Sequence, residues 1–236
     1  MGEYQMRQIF TSIDIGSNSI KAIVCELYNN KLNLLAATHT PSIGIKKGLI
    51  TDGEAAMNCI RKAIDHLEGQ LGISLRKVIV TVPSYMAEFK IAKASIPIQG
   101  EHHIVTLNDM EEVSKKAIQE RAVSEKEIVT DLTIDFGVDD KTKIINPKGL
   151  MGDTLHIRTL LVMVPKKNIY SVIKVLEALQ LDVVDISLNA IGDMATFKTK
   201  EMGNSLSALI NIGYETVTIS IHNKGIIIKN SILNKG

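Results

Sequence analysis

The sequence has 236 residues, of which 45% are hydrophobic and 22% charged. That balance is typical of one large globular domain or two small ones, and it excludes a disordered, collagen-like or coiled-coil chain. Lysine and arginine (27) nearly equal aspartate and glutamate (26), so the formal charge of +1 gives no basic footprint for nucleic acid.

The two cysteines and the distribution of apolar residues indicate the compartment. Cys25 and Cys59 lie in apolar stretches and form no CxxC pair, so we expect buried free thiols in a reducing compartment. No apolar run approaches the roughly 18 to 20 residues that span a bilayer, and residues 1–10 lack the apolar core of a signal peptide. We therefore expect a cytoplasmic protein, or one bound to a membrane by something outside this chain.

The first third of the chain has the pattern of an α/β domain. Short apolar runs separated by turn residues predict a β-meander over 9–38, followed by a loop at 42–48. Thr51 or Asp52 then caps a helix that carries one apolar stripe and ends at Gly72. Residues 77–82 are continuously apolar and predict a strand buried on both faces.

After Pro83 the pattern changes, which indicates a second module. Residues 88–98 alternate, and a capping box of Thr106 and Asp109 opens a helix that runs to about Ala122. Two further strands are expected, at 127–136 and 154–164, on either side of a polar loop. The βαβ pattern then returns, with helices at 168–179 and 190–199 and a strand at 183–188. We therefore interpret residues 83–165 as an insertion in a larger α/β domain.

The final stretch repeats the opening one. Apolar runs at 207–212, 217–222 and 226–233 predict three strands, and the first two flank the turn Gly213-Tyr214-Glu215-Thr216. The chain thus has two hairpins whose turns begin with glycine, which predicts a duplicated fold.

The first glycine turn is the candidate functional site. Between Asp14 and Lys21 lie a glycine and three hydroxyl or amide side chains, Ser17, Asn18 and Ser19. Such a turn can aim N–H groups, hydroxyls and an ammonium at phosphate oxygens, while the carboxylate holds Mg²⁺ through water. A plain hairpin turn is the alternative. The second turn makes the phosphate interpretation more specific, because two such turns could face one another across a cleft.

These residues resemble the FtsA family of actin-like bacterial division proteins. The resemblance is carried by DIGSNSIK at 14–21, GIKKGLITD at 44–52, NPKGLMGDTL at 146–155 and the second turn within 209–216. It extends over essentially the whole chain and implies an α/β, actin-like (ribonuclease H-like) ATPase fold with an inserted α+β subdomain. The implied organisation is subdomain 1A at 1–82 and 166–204, subdomain 1C at 83–165, and the start of subdomain 2A at 205–236.

The resemblance also implies a function. It implies an ATP-binding protein that polymerises and helps to anchor the FtsZ ring to the cytoplasmic face of the membrane at the division site. Implied partners are FtsZ and other divisome proteins, with self-association through 83–165; nucleic acid is not among them. The family's C-terminal membrane helix has no counterpart before Gly236, so we expect a truncated form. The implied ligands of ATP are Asp14, Gly16, Ser17, Asn18, Ser19, Lys21, Asn211, Gly213 and Thr216, and Asp14 is also the implied Mg²⁺ ligand.

Two departures from the family pattern bear on catalysis. Asn211 stands where the family usually has aspartate, and Tyr214-Glu215 replaces two small residues. Asparagine cannot act as a base for an attacking water, and Glu215 brings negative charge near the phosphates, so we expect little or no ATPase activity.

Three other functions remain open. A PilM-like membrane-assembly scaffold shares the superfamily, although the stretch at 146–155 argues against it. A sugar-kinase-type phosphotransferase would need a catalytic carboxylate, and Asn211 together with the missing second half counts against that. The third is a degenerate relic that folds but binds no nucleotide.

Overall fold

The computed structural model describes residues 8–100, 102–119 and 125–236. These residues form three main sheets, a two-stranded ribbon and four helices. The strands are β1 Gln8–Ile15, β2 Ser19–Tyr28, β3 Lys31–Pro41, β4 Ile45–Lys46, β5 Leu49–Ile50, β6 Lys77–Val82, β7 Glu88–Pro97, β8 Lys126–Val138, β9 Lys141–Ile144, β10 Thr154–Pro165, β11 Asp182–Leu188, β12 Leu206–Ile212, β13 Val217–Asn223 and β14 Ile226–Leu233. The helices are α1 Gly53–Leu71, α2 Leu107–Gln119, α3 Lys166–Ala178 and α4 Asn189–Phe197.

The first sheet has the strand order β11-β6-β1-β2-β3. The predicted meander forms its antiparallel part, β1-β2-β3, while β6 runs parallel to both β1 and β11. The carboxyl ends of β1, β6 and β11 therefore meet at one edge of the sheet, where α/β proteins bind their ligands.

Helix α1 begins and ends at the predicted caps. The Asp52 carboxylate accepts hydrogen bonds from the N–H groups of Glu54 and Ala55, and Gly72 closes the helix at φ 66° by donating its N–H to the carbonyl of Glu68. The buried face comprises Ala56, Cys59, Ile60, Ala63, Ile64 and Leu67. Cys25 and Cys59 are buried and free, as the sequence predicts.

Three local predictions are corrected. In β6, Val78, Val80 and Val82 are fully buried, but the residues between them are half-buried, so only one face of the strand is closed. The predicted loop at 42–48 contains β4, which pairs with β5. The polar loop predicted before residue 154 contains β9, which pairs with β8.

The second sheet has the order β7-β10-β8-β9 and carries α2 on one face. The capping box is confirmed: Thr106 donates its N–H to the Asp109 carboxylate (2.8 Å), and Asp109 donates its N–H to the Thr106 hydroxyl (3.3 Å). The predicted end of this helix, near Ala122, lies outside the described residues.

Strand β10 belongs to both hydrophobic cores. Its residues Leu155, Ile157 and Leu161 are buried under α2, whereas Leu160, Val162 and Val164 are buried in the main core with β6 and α1. The second sheet is thus joined to the first domain by shared packing as well as by its two chain connections.

The third sheet, β12-β13-β14, is antiparallel and is the second hairpin predicted from the sequence. Large apolar side chains are exposed on β12, where Leu206, Ile210 and Ile212 all face outward. None of the described helices combines the length and hydropathy that crossing a membrane requires.

Candidate functional site

Two glycine turns of the same construction face one cavity of about 450 Å³. In the first, Gly16 donates its N–H to the carbonyl of Ser19 (3.2 Å); in the second, Gly213 donates to the carbonyl of Thr216 (2.9 Å). A Cβ atom at either glycine would lie 2.9 Å from that carbonyl oxygen, so both turns require glycine.

The registers of the two hairpins show which residues are equivalent. Asp14 pairs with Lys21 across the first hairpin, and Asn211 pairs with Thr218 across the second. The second turn therefore offers an amide and a hydroxyl where the first offers a carboxylate and an ammonium. All nine residues named from the sequence as nucleotide ligands line this cavity.

Asp14 is held in place by the neighbouring strands. The Thr81 hydroxyl on β6 donates to its Oδ1 atom (2.9 Å), and the Asn189 amide, at the start of α4, donates to the same atom (3.4 Å). Lys21 Nζ lies 3.7 Å from the other carboxylate oxygen. The carboxylate thus lines the cavity with one oxygen held by two hydrogen bonds and the other paired with a largely exposed cation.

Two buried polar atoms beside Asp14 have no hydrogen-bond partner among the described residues. They are the Ser84 hydroxyl oxygen and the Asn189 Oδ1 atom, and both residues line the cavity. Unpaired buried polar atoms are costly and rare, and a bound ion or water is their usual explanation. The described residues contain no cluster of three or more histidine, cysteine or acidic side chains able to hold a metal. One carboxylate with amide and hydroxyl oxygens nearby fits Mg²⁺, which keeps several waters and takes phosphate ligands.

Glu215 joins the two sides of the cavity. Its carboxylate accepts a hydrogen bond from the Lys47 N–H (2.5 Å) and another from the Ser17 hydroxyl. These two hydrogen bonds, the first being the stronger influence, lower the pKa of Glu215. The second turn is thereby tied to the β4–β5 turn by an ionised carboxylate.

Asn211 has a carboxylate partner. Its Nδ2 atom donates to Oδ2 of Asp193 on α4 across 2.7 Å. The amide group is oriented by this bond, and Asp193 is not among the residues lining the cavity.

The chain is similar in sequence to known proteins of the FtsA family. Residues 87–163 match the model of the SHS2 domain inserted in FtsA. Cell division protein FtsA of Bacillus subtilis is 28% identical over 229 residues, 97% of this chain and 52% of that protein. FtsA of Streptococcus pneumoniae is 28% identical over 211 residues, 89% of this chain and 46% of that protein. The resemblance to the FtsA family is confirmed. The chain spans about half the length of these curated relatives.

Solved structures support the fold. The PilM–PilN type IV pilus biogenesis complex matches with a TM-score of 0.58 at 12% identity, covering 95% of this chain and 61% of that one. The ethanolamine utilization protein EutJ from Carboxydothermus hydrogenoformans matches with a TM-score of 0.50 at 14% identity, and the match covers 97% of this chain and 53% of that one. At this level of identity the matches show the fold alone. The chain has the predicted α/β actin-like fold with an inserted α+β sheet.

Several cavity residues were not predicted from the sequence. They are Lys47, Gly48, Pro83, Ser84 and Asn189. Ser84 follows the end of β6 and Asn189 follows the end of β11, so both lie at the edge where the parallel strands end. The rule that ligands bind at the carboxyl ends of parallel strands is the signal that would have found them. Lys47 and Gly48 lie within the FtsA-like motif at 44–52, which was recognised without a site role.

Proposed function

We propose that this chain binds ATP with Mg²⁺ in the cavity between the two glycine turns and acts in cell division as an FtsA-like protein. The observation that carries the proposal is the pair of turns, each closed by a glycine N–H, that line one cavity. The similarity to proteins named cell division protein FtsA supplies the biological setting.

The first turn offers the donors that phosphate oxygens need. Backbone N–H groups near Gly16, the hydroxyls of Ser17 and Ser19 and the ammonium of Lys21 line the cavity. Asp14 would hold the Mg²⁺ ion, with the Asn189 Oδ1 and Ser84 hydroxyl oxygens as partners for its waters. The metal would neutralise phosphate charge beside the Asp14 carboxylate. Gly213 and Thr216 would approach from the other side.

Nucleotide is proposed as a structural ligand with little or no turnover. Deprotonation of an attacking water needs a base such as a carboxylate, and the second turn carries the amide of Asn211 at the position equivalent to Asp14. Its amide is already engaged by Asp193. Binding without hydrolysis would stabilise the closed arrangement of the two turns by mass action.

We also propose the domain assignment and self-association through residues 83–165. In this scheme, subdomain 1A comprises 1–82 and 166–204, and 205–236 begins subdomain 2A.

The segments near Ile104 and Met151 run side by side through a β-bridge and backbone hydrogen bonds. Exposed apolar side chains gather there: Ile104, Leu107, Ile145, Leu150 and Met151. Exposed apolar side chains of this kind in the inserted module are suited to contact a second copy.

Partnership with FtsZ and the divisome, and attachment to the cytoplasmic face of the membrane at the division site, are proposed for the whole protein by analogy with its relatives. Nucleic acid is not proposed as a partner, since the chain has no excess of basic residues.

Sedimentation with Mg-ATP tests the self-association. The variant Met151→Asp places a charge in the exposed patch, and Ile73→Asp places one on a 40% exposed residue outside the insertion. We expect Met151→Asp to remain in the supernatant while Ile73→Asp and the unaltered chain pellet. Equal pelleting of all three proteins would contradict a contact through this patch.

A further inference from the structure

The turn between β4 and β5 forms an anion-binding corner of the cavity. Lys47 and Gly48 both have left-handed backbone conformations, with φ of 52° and 73°. The N–H groups of both residues donate hydrogen bonds at this corner. Lys47 donates to the Glu215 carboxylate, and Gly48 donates to the Ser17 hydroxyl oxygen (2.9 Å). Neighbouring N–H groups arranged in this way form a concave site that favours negative charge.

The Glu215 carboxylate occupies that corner. It receives the Lys47 N–H at 2.5 Å and the Ser17 hydroxyl, so two of the donors facing the cavity are bound to it. The positive side chains of Lys46 and Lys47 add favourable electrostatic interaction. An ionised side chain of the protein itself thus takes the place of an external anion.

A phosphate group would need the same donors. Ser17 is a proposed phosphate ligand, and its single hydroxyl hydrogen cannot serve Glu215 and a phosphate oxygen together. The Glu215 carboxylate and a phosphate group at the same corner would also repel each other, because a neighbouring like charge disfavours the ionised form of a group.

We propose that Glu215 is an internal competitor for the nucleotide phosphates, which must leave Ser17 and Lys47 before a phosphate binds there. This inference rests on the proposed nucleotide site. In the nucleotide-free protein the same contact fastens the second turn, between β12 and β13, to the β4–β5 turn. Glu215 therefore sets the affinity of the site: the free protein is held closed by its own carboxylate, and nucleotide binds only by displacing it.

The variant Glu215→Gln tests the competition because it retains the size of the side chain and removes its charge. The matched control is Glu111→Gln, on the exposed face of α2 and outside the cavity. The dissociation constant of Mg-ATP is measured by calorimetry, and the unfolding midpoint is measured without nucleotide.

We expect Glu215→Gln to bind Mg-ATP about tenfold more tightly than the unaltered chain, because a hydrogen-bonded charge no longer has to be displaced. Without nucleotide, its unfolding midpoint should fall, since the two turns lose their fastening. Glu111→Gln should change neither quantity. Glu215→Ala, which removes the carboxylate altogether, should show the same gain in affinity and serves if the glutamine variant folds poorly.

Equal or weaker binding by the Glu215 variants would overturn the competition while leaving the proposed nucleotide site intact. Absence of binding by the unaltered chain and by both variants would overturn the nucleotide site itself, and the competition with it.

Discussion

Asn211 donates a hydrogen bond to Asp193 across 2.7 Å, so a carboxylate lies directly beside the residue that is equivalent, in the second hairpin, to Asp14 of the first. An aspartate at position 211 would face the Asp193 carboxylate with no donor between them. The asparagine and Asp193 therefore form a matched pair, and an aspartate introduced at position 211 alone is not expected to give hydrolysis.

Asn211→Asp should lower the free energy of unfolding at neutral pH by about 1–3 kcal/mol, because a half-buried hydrogen-bond donor is lost and two carboxylates become neighbours. Repulsion would raise a carboxyl pKa of this pair in the folded state, so the destabilisation should shrink as pH falls towards the unfolded pKa and protonation relieves it. Chemical unfolding at several pH values measures this. Asn58→Asp, on the exposed face of α1, is the control. A destabilisation independent of pH would contradict the charge repulsion.

Lys21→Ala should weaken Mg-ATP binding about ten- to hundredfold, the usual loss when one charged hydrogen-bond donor to an anion is removed. Lys21 is the only cation in the first turn and lies 3.7 Å from Asp14, so it can turn towards a phosphate without leaving the site. Calorimetric titration compares this variant with Lys62→Ala on α1, which lies outside the cavity. Unchanged affinity of Lys21→Ala would remove the phosphate role of Lys21.

Thr106→Ala should destabilise the protein by about 1 kcal/mol, the typical cost of removing a helix N-cap. The hydroxyl of Thr106 accepts the Asp109 N–H and donates to the Asp109 carboxylate. Its loss therefore leaves the Asp109 N–H without this acceptor and removes one of the two hydrogen bonds that Thr106 donates to a 3% exposed carboxylate. For a chain of this length the melting midpoint should fall by about 2–4 °C. Glu112→Ala, on the exposed side of the same helix, should change it by less. Equal shifts for both variants would argue against the cap.

Glu88 should make the stability depend on acid pH. The pKa of its carboxyl group is lowered from 4.5 to about 2. The hydrogen bond from Lys126 has the larger effect, and the hydrogen bond from Lys90 has the next largest. A lowered folded pKa means that the stabilisation is present above pH 4.5 and is lost as pH falls towards about 2. Because Glu88 is partly exposed, we expect the contribution to be below about 1 kcal/mol. Glu88→Gln should be less stable than the unaltered chain at neutral pH and equal to it in stability near pH 2. A constant difference across this range would contradict the assignment.

Local features of the fold were predictable from the sequence. The turn at Gly16, the cap at Asp52, the C-cap at Gly72 and the capping box of Thr106 and Asp109 each depend on a few adjacent residues, and all are found. The glycine turns were predictable as a pair, since both have the same spacing from the preceding strand.

Features that depend on distant contacts were missed. Strand β9 is short and mostly polar, and it forms because β8 offers it an edge. The role of β10 in both cores could not be read from its continuous apolar run, because that run does not say which neighbours each face meets. Likewise, Lys47 reaches Glu215 across 168 residues of sequence, and no local pattern indicates such a contact.

Titration of the chain with Mg-ATP, with thermal unfolding followed in parallel, tests the central claim most directly. The account predicts saturable binding. At about 100 times the dissociation constant, it predicts a stabilisation of about 2.7 kcal/mol, or a rise in the midpoint of about 5–10 °C. Asp14→Ala should abolish the Mg²⁺ dependence of that rise. A folded sample whose midpoint and binding heat do not change with Mg-ATP would contradict the assignment of the two turns as a nucleotide site.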